Sequence, residues 1–310
     1  MMSGAAVSDG IWLSEQLAPG HVVNTRVTDI YHRSKSEFQD IAVVNLSVWG
    51  RTLMLDNVLQ SGEVDEFIYH ETLVHPAMMA HGNPKSVYIG GGGEGATARE
   101  ALRFKSAERV VMVDIDGVCV EACKKYMDCH HKGSFDDPRL ELVIGCARAY
   151  LEKNEEKFDV IIMDLADPLE VGPCWELYTK EFYSFVATKL NPGGVFVTQC
   201  GQAGLTTASH VFSPVRNTMM AVFPHVRSYI SYVGSFADTY GFTLASSDVD
   251  LNKLTAEVVE KKQDAVTGEN KYYDGETHNH MFSIPKYVRK IFQEEVRVGT
   301  LANPQSFYVS

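Results

Sequence analysis

Hydrophobic and polar positions alternate in two different ways along the chain, and the change falls near residue 65. Before that point, short segments rich in β-branched and apolar residues are separated by turns that contain glycine or proline, which is typical of antiparallel strands. These segments are residues 21–31, 38–46 and 52–55. The pattern predicts a small antiparallel β-domain over residues 1–64.

After residue 65, short apolar segments alternate with longer segments of helical periodicity. Strands are predicted at residues 86–89, 109–115, 140–144, 158–164 and 194–199. A helix is predicted before the first of these strands, at residues 66–80. Further helices are predicted between the strands, in a segment that ends at 104 and at residues 179–190. Strands that alternate with helices predict a doubly wound parallel sheet, so we expect an α/β domain over residues 65–310. The polar segment 248–276 is expected to form a surface excursion.

Charge and composition narrow the classes of ligand. The chain has 310 residues, with 40 Asp and Glu against 28 Lys and Arg, and a net charge of −12. Such an acidic surface repels phosphates, so we expect no nucleic-acid partner, and it suits cationic ligands instead. No apolar run approaches the roughly 20 residues of a membrane span, and no signal peptide is evident, so we expect a cytoplasmic protein without a membrane partner.

A glycine loop with an acid inside it follows the first predicted parallel strand. The segment from Gly90 to Gly95 fits G-x-G-x-x-G, and Asp114 ends the next strand, where an acid can bind a ribose diol. The loop therefore indicates a nucleoside ligand. Glu94 would repel a pyrophosphate but attract a cationic sulfonium nucleoside of the S-adenosylmethionine type. This favours a sulfonium-dependent transferase over a nicotinamide oxidoreductase.

A second pair of acids follows the predicted strand 158–164. Ligands of doubly wound sheets bind at the carboxyl ends of the strands, so Asp164 and Asp167 are expected to face the same cleft as Glu94 and Asp114. Four carboxylates around one cleft repel each other unless a cation is present. The segment 168–178 is long enough to act as a lid over this cleft.

Two groups of residues have ligand types that zinc uses, but neither has the required spacing. His70 and His75 are five residues apart, which places the rings on different helix faces. The second group matches no standard zinc pattern and consists of Cys123, Cys129, His130 and His131. We therefore predict no metal site.

Four motifs together resemble the aminopropyltransferase family, which contains the spermidine and spermine synthases. They are Asp65-Glu-Phe-Ile-Tyr-His-Glu71, Gly91-Gly-Gly-Glu-Gly95, Val113-Asp-Ile-Asp116 and Asp164-Leu-Ala-Asp-Pro168. The resemblance covers about residues 11–295. Within the family, three further segments resemble the subgroup that makes thermospermine, namely Ala96-Thr-Ala-Arg-Glu100, Gly172-Pro-Cys174 and Ser235-Phe-Ala-Asp-Thr239.

The resemblance implies a fold, a reaction and an assembly. The larger domain would be Rossmann-like and similar to methyltransferases, with a mostly parallel sheet. The enzyme would transfer an aminopropyl group from decarboxylated S-adenosylmethionine to spermidine, giving thermospermine and methylthioadenosine. The donor would be a co-substrate, with no resident cofactor, and the chain would form a homodimer or homotetramer.

The resemblance also implies roles for individual residues. Asp164 would be the catalytic base, assisted by Tyr69. The donor would be bound by Gln39, Glu94, Asp114, Cys146, Ala147 and Pro173. The acceptor would be bound by His70, Asp167 and Phe236, and the glycine loop would consist of Gly91, Gly92, Gly93 and Gly95.

Two departures from the family pattern leave alternatives open. Cys146 stands where the family has an Asp that accepts from the adenine amino group, and a thiol is a poor acceptor. Phe236 stands where many relatives have a Tyr, which suits an acceptor longer than putrescine. The alternatives are a spermidine synthase, a spermine synthase, a methyltransferase that uses intact S-adenosylmethionine, and a non-catalytic paralogue. Glu94 disfavours the methyltransferase, because it would face the donor carboxylate.

Overall fold

The computed structural model describes residues 10–18, 20–167 and 174–303, and its first part is an antiparallel sheet. The five strands follow each other in chain order. They are β1 (Ile11–Ala18), β2 (His21–Lys35), β3 (Asp40–Leu46), β4 (Gly50–Leu55) and β5 (Val58–Gly62). Asp56 and Asn57 join β4 to β5 with φ values of 50° and 64°, the left-handed turn that a tight hairpin requires. The predicted antiparallel sheet is confirmed.

The second sheet has seven strands and is mostly parallel, as predicted. They are β6 (Ser86–Gly91), β7 (Arg109–Asp114), β8 (Leu140–Ile144), β9 (Phe158–Asp164), β10 (Leu190–Gln202), β11 (His225–Val233) and β12 (Asp238–Ser246). Their order across the sheet is β11-β12-β10-β9-β6-β7-β8. Strands β6 to β10 are parallel, while β12 is antiparallel to both β10 and β11.

Helices cover both faces of this sheet. They are α1 (Glu66–His81), α2 (Ala96–Leu102), α3 (Gly117–Tyr126), α4 (Asp128–His131), α5 (Ala147–Lys153), α6 (Lys180–Lys189), α7 (Phe212–Met220), α8 (Ala256–Lys261), α9 (Gly275–Phe282) and α10 (Lys286–Glu294). Alternate residues of β9 belong to two different cores, with Val160 and Ile162 on one face and Ile161 and Met163 on the other. The centre of β9, residues 160–163, is a continuous apolar run because both faces of the strand are buried there.

The candidate functional residues lie where the strand order reverses its direction across the sheet. Strand β7 lies on one side of β6 and β9 on the other, which opens a crevice at their carboxyl ends. Gly91 pairs with Asp164 across this crevice. Its φ is +85°, and a Cβ there would collide with the carbonyl oxygen of Asp164, so only glycine fits.

One expectation about the chain's organisation is wrong. Residues 248–276 do not form a surface excursion, since Leu251, Val259 and Tyr273 are buried in the core that covers one face of the large sheet. The segment contains α8 and the start of α9, and single apolar residues within its polar sequence reach the core. In the described part of the chain, no helix is long and apolar enough to cross a membrane.

Candidate active site

Asp164 ends strand β9 at the crevice, and both of its carboxylate oxygens accept hydrogen bonds. The Tyr69 hydroxyl donates to Oδ1 at 2.7 Å, and the Thr97 hydroxyl donates to Oδ2 at 2.6 Å. Burial and the nearby negative charge of Glu94 raise the pKa of Asp164 to about 6. At neutral pH the group is therefore mostly ionised, and it is a stronger base than an ordinary carboxylate.

Tyr69 is held in place by aromatic rings as well as by Asp164. Its ring centroid lies 5.7 Å from that of Phe236 and 5.5 Å from that of Phe242. Burial and the Asp164 charge raise the pKa of the Tyr69 phenol well above its ordinary value. Tyr69 therefore keeps its proton and remains the donor in the bond to Asp164.

His70 lies between two carboxylates. Its Nδ1 is 2.8 Å from Glu66 Oε2, and its Nε2 is 2.9 Å from Glu94 Oε1. Ionised carboxylates only accept hydrogen bonds, so both ring nitrogens donate and the ring is an imidazolium. Burial disfavours the charged ring, but the hydrogen bonds to Glu66 and Glu94 outweigh it and raise the pKa of His70 to about 10. The cation that four clustered acids require is thus partly supplied by the protein.

Within the described ranges, this site holds the one group of three His, Cys, Asp or Glu side chains whose polar atoms lie close enough together to compare with a metal site. His70, Glu94 and Asp164 each place one ligand atom within 4.8 Å of the others. A metal ion would first have to displace the proton on His70 Nε2. The arrangement therefore suits an ammonium group, which donates to carboxylates, better than it suits a metal ion.

Asp114 lies at the end of β7, on the other side of the glycine loop. Its Oδ1 accepts from the backbone N–H of Asp116 at 2.8 Å, and burial, followed by the Glu94 charge, raises its pKa to about 6. A Cβ at Gly93 would lie 2.8 Å from Asp114 Oδ2, so the missing side chain lets the loop lie against this acid. Gln39 donates to Asp116 at 2.8 Å rather than to Asp114.

Comparison with known proteins identifies the family. Residues 66–255 match the spermine/spermidine synthase domain, and residues 11–63 match the spermidine synthase tetramerisation domain. The chain belongs to the spermine/spermidine synthase family. It is therefore an aminopropyltransferase of polyamine biosynthesis.

Relatives of this aminopropyltransferase come from plants, archaea and bacteria. The chain is 42% identical over 296 residues to the thermospermine synthase ACAULIS5 of Arabidopsis thaliana, covering 94% of this chain and 86% of that protein. It is 44% identical over 299 residues to a polyamine aminopropyltransferase of Aeropyrum pernix, covering 94% of both. A spermidine synthase solved in complex with the transition-state analogue AdoDATO superposes with a TM-score of 0.85 at 32% identity, covering 92% of this chain and 96% of that one.

The residues predicted for the aminopropyl acceptor lie on the Asp164 side of the cleft. Asp167 Oδ1 accepts from Gln199 Nε2 at 3.0 Å, which links it to strand β10. Phe236 lies in the turn between β11 and β12 and packs against Tyr69 and Tyr240. Phe236 therefore lies beside Tyr69, and the acceptor roles of Asp167 and Phe236 stay predictions.

The residues predicted for the adenine lie one strand beyond Asp114. Cys146 follows β8 and has an exposed thiol, and Ala147 is the first residue of α5. The carbonyl oxygen of Ala147 accepts from the Tyr88 hydroxyl at 2.8 Å. Pro173 and most of the predicted lid lie outside the described residues, so the prediction for them stays a prediction.

Four polar residues that shape the site were not predicted from the sequence. They are Glu66, Thr97, Arg99 and Gln199. The sequence could have indicated Thr97, because this residue lies in the first turn of the helix that follows the glycine loop and can therefore reach the crevice. Glu66 lies four residues before His70 on the same helix, so the i, i+4 spacing could have indicated that contact. Arg99 and Gln199 contact residues more than 30 positions away, and no local pattern indicates those contacts.

Proposed function

We propose that this aminopropyltransferase uses decarboxylated S-adenosylmethionine as donor and spermidine as acceptor, and that it forms thermospermine and methylthioadenosine. The observation that carries the proposal is Asp164, an ionisable carboxylate with a raised pKa that Tyr69 and Thr97 hold at the centre of the crevice. Glu94, Asp114 and Asp167 surround it with acids, which suits two cationic substrates.

The donor fits the glycine-loop side of the cleft. Asp114 would accept from the ribose hydroxyls, and Glu94 would accept from the ammonium of the aminopropyl arm. Decarboxylated S-adenosylmethionine carries positive charge at the sulfonium and the amine and has no carboxylate, so it adds no anion to this acidic cleft. Gln39, Cys146, Ala147 and Pro173 are proposed to complete the donor site around the adenosine.

The reaction is a displacement at the carbon next to the sulfonium. The acceptor nitrogen forms the new C–N bond, the C–S bond breaks, and its electron pair leaves with methylthioadenosine. The attacking amine has a pKa of about 10 and must lose a proton. Asp164 takes this proton directly or through Tyr69, and its raised pKa narrows the gap to the amine. Alignment of the two substrates lowers the barrier further.

The acceptor side favours a longer polyamine. Phe236 covers Tyr69 with a ring that has no hydroxyl, so the channel beyond the reacting amine is less polar at this point. Spermidine that reacts at its aminopropyl end continues beyond its secondary amine with four methylene groups and a terminal ammonium, whereas putrescine ends at its second ammonium. The 42% identity with a thermospermine synthase agrees with this assignment.

Assembly and domain division complete the proposal. The match of residues 11–63 to a tetramerisation domain supports a homodimer or homotetramer. The separate antiparallel sheet supports a boundary between residues 64 and 65.

Product analysis tests the proposed function. The full chain is incubated with decarboxylated S-adenosylmethionine and either putrescine or spermidine, and the products are separated by chromatography alongside thermospermine and spermine standards. We expect methylthioadenosine and thermospermine from spermidine, with slower turnover of putrescine. Spermine as the product, or turnover of putrescine alone, would contradict the proposed acceptor chemistry. Methyl transfer from intact S-adenosylmethionine would contradict the proposed donor.

A further inference from the structure

We propose that Glu66 and Arg99 are positioning residues that keep His70 a permanent imidazolium, and that this fixed charge holds Glu94 in place for the donor. The inference rests on the proposed function for its kinetic consequence. Glu66 and Arg99 act through His70 and have no proposed contact with either substrate.

The geometry around Glu66 is that of a buried anion paired on two sides. Glu66 is 4% exposed and begins helix α1. Arg99 Nη2 donates to Glu66 Oε2 at 2.8 Å, and Arg99 Nη1 donates to Oε1 at 3.1 Å. The same Oε2 accepts from His70 Nδ1 at 2.8 Å. The two-pronged contact with Arg99 fixes the carboxylate, and the carboxylate in turn fixes the ring.

His75, on the same helix, shows that this arrangement is specific to His70. Its Nε2 donates to Glu100 at 2.7 Å, but its Nδ1 lies 3.2 Å from the amide nitrogen of Asn270, which only donates. His75 therefore faces one carboxylate and one amide donor, whereas both ring nitrogens of His70 face carboxylates. A ring that must donate at both nitrogens has no lone pair for a substrate proton, so His70 is excluded as the general base.

Charged and titratable groups from several elements face His70. Glu66 lies on its own helix, Glu94 on the glycine loop and Asp164 on β9. His130, on α4, is buried, which lowers its pKa to about 4, so it is neutral near pH 7. Arg99 approaches through Glu66. The positive charge of His70 lowers the pKa of both Glu94 and Asp164. Loss of that charge would therefore disturb both the donor acid and the base.

A Glu66→Gln variant tests the proposal, because glutamine keeps a hydrogen bond to His70 Nδ1 and removes the charge. The pKa of His70 then falls, and the ring becomes neutral as pH rises. We expect the ratio of variant to wild-type kcat/KM to decrease at least about tenfold between pH 6 and pH 9, one pKa unit of differential interaction being worth about tenfold. Glu71→Gln is the matched control, since it removes a buried carboxylate of the same helix that accepts from the backbone N–H groups of residues 271–273. For this control, the ratio of variant to wild-type kcat/KM should be independent of pH.

A second measurement on the wild-type protein needs neither substrate nor variant activity. The ring nitrogens of His70 are followed by NMR in histidine-labelled protein and assigned by their loss in His70→Gln. We expect both nitrogens to be protonated throughout pH 6 to 9. A neutral His70 at pH 7, or a Glu66→Gln ratio that is flat with pH, would overturn the proposal. If the wild-type protein has no turnover with the donor, the proposed function fails, and the NMR result still decides the state of His70.

Discussion

The Tyr69 hydroxyl donates to Asp164 at 2.7 Å and so connects helix α1 to the end of strand β9, across 95 positions of sequence. Helix α1 begins directly after the antiparallel sheet, and β9 is central to the parallel one. The hydrogen bond therefore fixes the proposed base against the helix that also carries His70. The geometry of this contact decides how Asp164 can meet a substrate amine.

The pH dependence of catalysis follows from the raised pKa values of the two cleft aspartates. Burial raises the pKa of Asp164 and of Asp114 to about 6. Below that pH both become protonated, so the proposed base and the proposed ribose acceptor lose their charge together. We expect kcat/KM to fall on the acid side with a midpoint near pH 6. A pH–rate profile at constant ionic strength measures this, and a profile that is flat down to pH 5 would contradict it.

The same shift predicts how Asp164→Asn changes stability. The pKa of Asp164 is raised from 3.8 to about 6 in the folded protein, so the carboxylate destabilises the fold progressively as pH rises through that interval. Asparagine does not ionise, so the variant does not lose stability in this way as pH rises. Relative to wild type, we expect its free energy of unfolding to increase by up to about 3 kcal/mol between pH 4 and pH 7. Denaturant unfolding of both proteins at both pH values tests this prediction. A difference in unfolding free energy between variant and wild type that is the same at pH 4 and pH 7 would contradict the raised pKa of Asp164.

Acceptor choice is expected to depend on Phe236. Phe236→Tyr adds a hydroxyl next to Tyr69 and gives the second ammonium of putrescine a hydrogen-bond acceptor. We expect the kcat/KM ratio of putrescine to spermidine to rise about tenfold, the size of one hydrogen bond of about 1.4 kcal/mol. Tyr232→Phe, which alters an exposed ring on β11, is the control. A ratio that stays constant in Phe236→Tyr would remove this residue from acceptor selection.

Donor affinity is expected to depend on Cys146. This residue caps helix α5 with an extended backbone and, within the described residues, its thiol makes no bond to the first turn. Cys146→Asp supplies a carboxylate that accepts from an adenine amino group, so we expect about tenfold tighter donor binding by calorimetry. Cys146→Ser can cap the helix without adding a charge, so comparing the two variants separates helix capping from the effect of the carboxylate. Unchanged or weaker binding in the aspartate variant would show that the adenine is recognised elsewhere.

The elements of the fold could be predicted where the local pattern alone determines them. Strands β8 and β9 begin and end where the sequence predicts, because apolar residues predominate in both and polar segments bound them. The segment 248–276 was predicted wrongly because its few core residues, such as Leu251 and Tyr273, are separated by polar ones. Their burial depends on packing against distant helices and strands, which no local pattern encodes.

The candidate site could be predicted in part for the same reason. The acids Glu94, Asp114 and Asp164 follow strands of one sheet, so the topology alone brings them to one edge. The partners that set their charge could not be predicted. His70 meets Glu94 across 24 positions, and Gln39 meets Asp116 across 77, which only the tertiary fold determines.

The most direct test of the central claim is the turnover of Asp164→Asn with donor binding measured on the same protein. If Asp164 is the base, kcat falls by at least about 100-fold, while the donor dissociation constant by calorimetry stays within about threefold of wild type. Asp159→Asn is the matched control on the opposite end of β9, where the carboxylate accepts from the backbone of Lys85 and Ser86. It should keep near-normal turnover. Near-normal kcat in Asp164→Asn would contradict the account.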